Sequence, residues 1–416
     1  MACRGRRWTH CLAALAGCVD PAPPGHRRRC PAPVASLVAL LVATACCASA
    51  PPDATVPDAT VPDIAFLADE PDSADAAADA PIMLDAPADL PPDVAPDAPS
   101  CLRAMRTDLV AYLARAPYAS RAGPRHMTLH PATSIPWQAA RRAAQAWAAG
   151  DCAAFTDAAR AMGYDALEVT DTVAGLRHWV LIEAAGASYN GVFAFVAPAD
   201  RARARPLVID SPHLGYDFTD TRAAQTYRDT AAVAFLQNTA HRCNSNVCSG
   251  CSAISNYACG GCVVESDVVH STGQLFYAVY DGLEAARDDL HLEYHGAAAS
   301  NSPPTCGATV HLSQASSRDL TPAADDGTYP NRLWRAFERS LGATCVCYHQ
   351  REPGCALNGA GSTAGRRTNQ EAGGAAADVC TRSPSGLAGR FAHFEAYNVP
   401  VARVIDALRE AVPLPP

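Results

Sequence analysis

The chain has 416 residues, which is enough for one large domain or two smaller ones. Its formal net charge is -9, and no basic patch of the kind that binds nucleic acid is present, so we predict no nucleic-acid partner. All 33 basic residues are arginine, because the sequence contains no lysine. This absence excludes catalysis through a lysine Schiff base and phosphate binding through a P-loop lysine.

Residues 1–46 have the composition of an export signal. Three arginines at 27–29 supply a positive n-region, and residues 34–45 form an apolar stretch that is too short to span a bilayer comfortably. The sequence Ala-Thr-Ala-Cys46 resembles a bacterial lipobox, with alanine in place of the usual leucine, and predicts Cys46 as a lipidated residue. Cleavage near Ala45 to give a soluble secreted protein, and an uncleaved anchor, are the alternatives. We therefore predict an exported protein of the bacterial cell envelope.

Residues 47–100 are dominated by Pro, Ala and Asp and contain the repeat Ala-Thr-Val-Pro-Asp twice in succession. So few apolar residues cannot build a core, and the segment is predicted to be a disordered, extended tether. The folded domain is predicted to cover residues 101–416, with a helical first part at 101–170.

The rest of the chain alternates strand-like and helix-like patterns. This alternation predicts an α/β fold with three layers, in which helices cover both faces of a mostly parallel sheet. Helices are predicted at 102–115, 137–149, 152–162, 221–230, 271–287, 331–341 and 399–412, and strands at 178–183, 191–196, 205–210, 231–236, 290–294, 308–312, 345–348 and 390–395.

Twelve of the 18 cysteines lie from Cys101 onward. An even number of cysteines behind an export signal predicts disulfide bonds, and Cys101 and Cys152 are one possible pair. The two Cys-x-x-Cys motifs, Cys248/Cys251 and Cys259/Cys262, are also compatible with a structural zinc site. In an exported protein we expect these four cysteines to form disulfides that hold the insertion around them.

Polar residues follow the ends of several predicted strands: His213, Asp217, Arg242, His295 and Glu395. Because the carboxyl ends of parallel strands meet at one edge of a sheet, these side chains are expected to converge. Two histidines and one carboxylate are a common set of ligands for a catalytic zinc ion with one open position. We therefore predict His213, Asp217 and His295 as ligands of one zinc ion, Glu395 as the general base and Arg242 as the group that stabilises an oxyanion.

Each of these residues has a structural alternative. His213 is also explained by a hydrogen bond to Asp217 within a loop, His295 by a strand cap, Arg242 by a surface ion pair and Glu395 by a solvated strand end. For the segment 266–270, the structural interpretation is that Ser266 or Asp267 caps a helix. The functional interpretation is that Asp267 and His270 contact the substrate.

The segment from Arg205 to His213, with Asp217 after it, resembles the first metal-ligand segment of zinc-dependent amidohydrolases and carboxypeptidases, in particular N-formylglutamate amidohydrolase and poly-gamma-glutamate hydrolase. Zinc carboxypeptidases use His-x-x-Glu, whereas this chain has His-x-x-x-Asp. Later segments resemble such enzymes in the same order: Thr-Ala-His-Arg-Cys at 239–243, Tyr-His-Gly at 294–296 and Phe-Ala-His-Phe-Glu at 391–395.

The resemblance covers roughly residues 179–411. It implies a phosphorylase/hydrolase-like fold and hydrolysis of an amide, with one zinc ion on His213, Asp217 and His295 and with Glu395 as the base. The sequence thus favours an exported metal-dependent hydrolase of an amide or peptide bond in a small molecule or peptide, attached to the membrane through a lipid anchor. The alternative is a non-catalytic, disulfide-stabilised binding protein that is anchored at the surface and keeps this fold.

Overall fold

The computed structural model describes residues 101–416 except 122–127, 185–188, 218–219, 252–258, 260–261, 299–300, 302, 304, 317–326, 353–354, 356, 358, 371–375, 383 and 385. The predicted leader, the predicted tether and the predicted lipidation site at Cys46 lie outside the described residues. Among the helices that are described, none combines the length and the apolar character that crossing a membrane requires.

The described part of the chain forms an α/β fold around a sheet in the order β1-β2-β3-β4-β6-β5-β7-β10-β8-β9. The pairs β1/β2, β6/β5, β5/β7, β7/β10 and β8/β9 are parallel, and the remaining pairs are antiparallel. The strands are β1 (Arg103–Thr107), β2 (Tyr164–Asp171), β3 (Arg177–Glu183), β4 (Val192–Val196), β5 (Arg205–Ser211), β6 (Ala232–Gln237), β7 (Leu290–Gly296), β8 (Thr309–Ser313), β9 (Val346–Tyr348) and β10 (Phe391–Tyr397).

Helices cover both faces of the sheet, as the sequence predicts. One face packs against α2, α3, α5, α7 and α8, and the other packs against α1, α4, α6 and α9. Each face therefore has its own apolar core, which makes the fold three-layered. The helices are α1 (Leu109–Leu113), α2 (Ile135–Ala149), α3 (Cys152–Met162), α4 (Asp220–Thr230), α5 (Leu275–Glu284), α6 (Tyr329–Leu341), α7 (Thr363–Asn369), α8 (Ala376–Thr381) and α9 (Val401–Ala411).

Local sequence signals set the ends of α2 and α3. The hydroxyl of Ser134 accepts a hydrogen bond from an amide in the first turn of α2, and the carboxylate of Asp151 does the same for α3. Gly150 and Gly163 end the two helices with φ angles of 74° and 80°, which a residue with a Cβ adopts only with strain. These caps place both helices where the sequence predicts them.

The helix predicted at 102–115 is wrong in its first half. Arg103–Thr107 is strand β1, and the carboxylate of Asp108 then caps the short helix α1. β1 pairs in parallel with β2, a strand that the sequence analysis did not predict. This pairing joins residues about sixty positions apart, so local periodicity could not reveal it. The segment 101–170 therefore contains two strands besides its helices.

Six disulfide bonds join the twelve cysteines from Cys101 onward, and they include the predicted pair. The alternative interpretation of Cys248, Cys251, Cys259 and Cys262 as a structural zinc site is wrong, because all four sulfurs form disulfides. Six such bonds are typical of a protein that matures in an oxidising, extracellular environment. The pairs are Cys101–Cys152, Cys243–Cys259, Cys248–Cys262, Cys251–Cys380, Cys306–Cys345 and Cys347–Cys355.

A buried histidine in β3 makes the fold sensitive to acid. The Nδ1 atom of His178 is 2.7 Å from the hydroxyl of Tyr227, and its Nε2 atom has no hydrogen-bond partner among the described residues. Burial lowers the pKa of His178 from 6.5 to about 4, and the nearby carboxylates only partly offset this effect. The folded state therefore holds a neutral imidazole, whereas the unfolded chain takes up a proton below pH 6.5.

We predict that His178 contributes a loss of stability as the pH falls from 6.5 to 4, and no further loss below its folded pKa. The shift corresponds to about 3 kcal/mol of unfolding free energy. The variant His178→Gln keeps a hydrogen-bonding group but does not titrate. Urea unfolding at pH 7.5 and pH 4.5 should show a smaller pH dependence in this variant than in the wild type. An equal pH dependence in the two proteins would contradict this account.

Candidate metal centre

The central parallel strands β6, β5, β7 and β10 deliver polar residues to one edge of the sheet. His213 follows the end of β5, and Arg242 follows the end of β6. His295 is the second-last residue of β7, and Glu395 is its partner in the neighbouring strand β10. The connections from β5 and from β6 leave to opposite faces of the sheet, through α4 and α5 respectively. Such a point opens a crevice beyond the strand ends, which is where ligands bind in α/β sheets.

The three predicted metal ligands meet at this edge. The Oδ2 atom of Asp217 lies 3.1 Å from Nδ1 of His213 and 2.7 Å from Nδ1 of His295. These donor atoms all lie within 4.8 Å of one another. Donors about 2.1 Å from a tetrahedral zinc ion are about 3.4 Å from each other, so a slight opening of this group accommodates a cation. The three side chains can therefore hold a metal ion, and the structure leaves the identity of that ion open.

A buried ion pair supports His213 from the far side of its ring. Asp267 accepts from Nε2 of His213 at 2.9 Å, and its other carboxylate oxygen is 2.5 Å from the guanidinium of Arg242. Arg242 also lies over the ring of Tyr216, 4.9 Å from its centroid. A carboxylate on the outer nitrogen of a histidine fixes the orientation of the ring and makes it a better metal ligand.

Two further residues that the sequence analysis did not single out extend the cluster. The Oε1 atom of Glu293 lies 3.2 Å from Nε2 of His295 and 2.7 Å from Nδ1 of His393. The other oxygen of Glu293 accepts from the hydroxyl of Ser362 at 2.6 Å. The Nε2 atom of His393 is 2.9 Å from Oε1 of Glu395. Glu293, His295 and His393 form a second group whose geometry can hold a metal ion.

A pattern in the sequence points to these two residues. His295 and Glu293 are two positions apart in β7, and Glu395 and His393 are two positions apart in β10. Side chains two positions apart in a strand lie on the same face of the sheet. Polar residues that alternate with apolar ones in both strands therefore indicate one polar ladder.

The carboxylates of the cluster are held in their charged form. Burial alone would raise the pKa of Asp217, but His213 and His295 outweigh burial and hold its pKa below the ordinary value. Burial likewise opposes ionisation of Glu293, and its two imidazole partners hold its pKa below the usual range. Burial also opposes ionisation of Asp267, but Arg242, His270 and His213 together hold its pKa well below normal. The carboxylates of the cluster are therefore both buried and ionised.

The imidazoles respond in the opposite direction. Burial disfavours protonation of His295, but the carboxylates on both sides of its ring raise its pKa to about 10. The pKa of His393 is also raised, because Glu293 and Glu395 outweigh its burial. A ring with a carboxylate at each nitrogen binds either a second proton or a metal ion. Two imidazoles with one carboxylate are one of the donor sets that catalytic zinc sites use.

Two glycines allow the backbone to approach the cluster. A Cβ atom at Gly296 would lie 2.3 Å from the backbone oxygen of Asp217, so no other residue fits directly after His295. Gly359 has a φ angle of 57°, and a Cβ atom there would lie 2.6 Å from the ring of His393. The loop that contains Gly359 therefore packs directly on His393.

Asp267 and His270, the residues predicted to contact the substrate, both lie buried near His213. The interpretation of Ser266 or Asp267 as a helix cap is wrong, because neither side chain caps the 3-10 turn at Val268–His270. Ser266 donates to the backbone oxygen of Arg242 instead. His270 is buried beside Asp267 with its Nδ1 atom 3.0 Å from the backbone oxygen of Gly361. Asp267 therefore belongs to the cluster through its hydrogen bond to His213, and His270 lies beside Asp267.

Comparisons of this chain with family models, with curated proteins and with solved structures find no match.

We predict that Asp267→Asn weakens metal binding by about 10- to 100-fold, since the amide keeps the shape of the carboxylate but not its charge. The affinity is measured by competition of the purified protein with a zinc chelator of known strength. The control is Asp157→Asn, which removes the same charge from an exposed ion pair with Arg160 on α3. Equal affinity of the Asp267 variant and the wild type would show that this carboxylate does not support a metal ligand.

Proposed function

We propose that this protein is an exported, metal-dependent hydrolase of an amide or peptide bond. The observation that carries the proposal is the convergence of two imidazoles and one carboxylate from separate loops and strands at the carboxyl edge of the sheet. The resemblance of these segments to zinc-dependent amidohydrolases and carboxypeptidases supports it further. His213, Asp217 and His295 would hold one zinc ion.

A zinc ion held by these residues would lower the pKa of a bound water molecule toward neutrality and polarise the scissile carbonyl. Glu395 is proposed to act as the general base that takes up a proton from the attacking water. Its side chain is 16 % exposed, whereas those of Asp217, Asp267 and Glu293 are at most 5 % exposed. Glu395 is thus the carboxylate of the cluster that a substrate can reach. Its pKa lies below the ordinary value, because His393 outweighs the effect of burial, so it is ionised and able to accept a proton.

Arg242 is proposed to face the oxyanion that develops during hydrolysis. One edge of its guanidinium is bound to Asp267, but the Nε atom is buried and has no hydrogen-bond partner among the described residues. A buried donor without a partner is costly unless a ligand provides one. Burial opposes the charge of Arg242, but Asp267 and Asp217 raise its pKa above the ordinary value, so it stays cationic. A carboxylate on the substrate would be an equally suitable partner for this cation.

The site of action is proposed to be the bacterial cell envelope. The disulfides are consistent with an oxidising compartment, and the predicted lipobox would attach the mature protein to the membrane through Cys46. The Pro-, Ala- and Asp-rich segment would then act as a tether between lipid and domain. The proposed substrate is accordingly a small molecule or peptide outside the cytoplasm.

We expect Glu395→Gln to keep the ion held by His213, Asp217 and His295 and to lose about 10²- to 10⁴-fold in kcat, as loss of a general base does. Hydrolysis is measured on a panel of N-acyl amino acids and short peptides, and metal content by elemental analysis. The matched control is Glu338→Gln, which makes the same substitution on α6, where the carboxylate pairs with Arg335. A Glu395 variant with wild-type kcat on a substrate that the wild type cleaves would contradict the role of this residue.

His213→Ala and His295→Ala separate the hydrolase from a non-catalytic binding protein. Both variants should lose the ion held by His213, Asp217 and His295 and, with it, activity. An unchanged wild-type metal content in both variants would remove the basis of the proposed function.

A separate prediction concerns the lipidation of Cys46, and the adjacent Cys47 provides the control. Replacement of Cys46 by Ala should move the protein from the detergent phase to the aqueous phase in a phase-separation assay of whole cells. Replacement of the adjacent Cys47 by Ala should not change the partition. An unchanged partition of the Cys46 variant would favour a secreted protein or an uncleaved anchor.

A further inference from the structure

The hydrogen bonds of the cluster repeat one arrangement twice around His295. On one side, Asp217 stands between an imidazole nitrogen of His213 and Nδ1 of His295. On the other side, Glu293 stands between Nε2 of His295 and an imidazole nitrogen of His393. Both groups satisfy the same geometric requirement for a metal ion, with all donor atoms within 4.8 Å of one another. The ring of His295 is their shared member.

Each half also ends in the same way. The outer nitrogen of His213 is bound by Asp267, and the outer nitrogen of His393 is bound by Glu395. Carboxylates at these positions orient a metal-ligating histidine and strengthen it as a ligand. The rings of His213 and His393 lie on either side of His295, with centroid distances of 4.8 Å and 4.6 Å. The second half is therefore built as completely as the first.

Charge balance supports occupation of both halves. Four carboxylates of the cluster, Asp217, Asp267, Glu293 and Glu395, face one guanidinium. With neutral imidazoles, one divalent cation leaves this buried group negative. A second divalent cation, together with the loss of the remaining ring proton of His295 to solvent, makes it neutral. Buried charge is stable only where it is compensated, so the neutral arrangement is favoured.

We propose that this centre binds two divalent transition-metal ions, bridged by the ring of His295. One ion is held by His213, Asp217 and Nδ1 of His295, and the other by Glu293, His393 and Nε2 of His295. The inference rests on the proposed function for the first position and adds a second position. When the second ion binds, His295 releases its last ring proton to solvent and donates from both nitrogens.

The test is the metal stoichiometry of the full chain, prepared metal-free with a chelator and titrated with Zn²⁺ at pH 8. The wild type should bind two equivalents, as measured by elemental analysis after removal of free metal. His213→Gln and His393→Gln should each bind one equivalent, because each variant keeps one complete half. The control His130→Gln changes a histidine that lies against Asn190, and it should bind two equivalents.

A spectroscopic measurement on the wild type supplements the count. With two equivalents of Cu²⁺, a bridging imidazolate couples the two ions, so the integrated electron paramagnetic resonance signal at low temperature should fall below that of two isolated ions. His213→Gln with one equivalent should give the full signal of one isolated ion. Two uncoupled Cu²⁺ ions in the wild type would overturn the bridge.

The outcomes distinguish this inference from the proposed function. One equivalent in the wild type, with none in His213→Gln, overturns the second position and leaves the first intact. One equivalent in the wild type and in both variants also overturns it, because a single ion then occupies either half. No metal in the wild type overturns both the second position and the proposed function.

Discussion

The site depends on the sharing of single carboxylate oxygens between two imidazoles in a buried environment. Asp217 joins His213 to His295, and Glu293 joins His295 to His393. Buried acids without such partners would be neutral, and buried histidines without them would lose their protons. Together they form a buried cluster of carboxylates and imidazoles, the two kinds of side chain that could hold a metal ion here. The fold serves to bring these groups from separate strands to one place.

That convergence follows from the topology of the sheet. The strands β6, β5, β7 and β10 run parallel, so their carboxyl ends lie at one edge. The described residues of the insertion that brings Asp267 to the cluster form an isolated bridge between Cys248 and Val264, and disulfides hold the insertion together. Cys243–Cys259 and Cys248–Cys262 close it locally, and Cys251–Cys380 fastens it to α8. Because the disulfides restrict the position of the insertion, they contribute to the site as well as to the stability of the protein.

The sequence predicts the α/β class and much of the cluster because both leave local signals. His213 and Arg242 lie in the loops that follow apolar strands, and His295 and Glu395 come near the ends of others, so the rule that ligands bind at strand ends applies to them. Glu293 and His393 escaped prediction because they lie within strands, where a single polar residue resembles an ordinary position of the pleat. They are distinguished only because each lies two positions before another polar residue of the same strand.

Other features depend on contacts between distant parts of the chain. Strand β1 is stabilised by its pairing with β2, and the sequence of Arg103–Thr107 read alone favours the helix that it does not form. Cys251 and Cys380 are 129 residues apart, and the other cysteines offer many alternative pairings. Asp267 looked like a helix cap because aspartate is common at such positions. In each case the three-dimensional neighbour, rather than the neighbouring sequence, decides the outcome.

We propose that the buried imidazole–carboxylate cluster binds metal. Anomalous diffraction from a crystal of the protein grown with zinc, recorded on both sides of the zinc absorption edge, would locate the ion. We expect a strong anomalous peak between His213, Asp217 and His295. A fully folded protein with no peak among these side chains, or with a peak only elsewhere on the molecule, would rule out this metal centre.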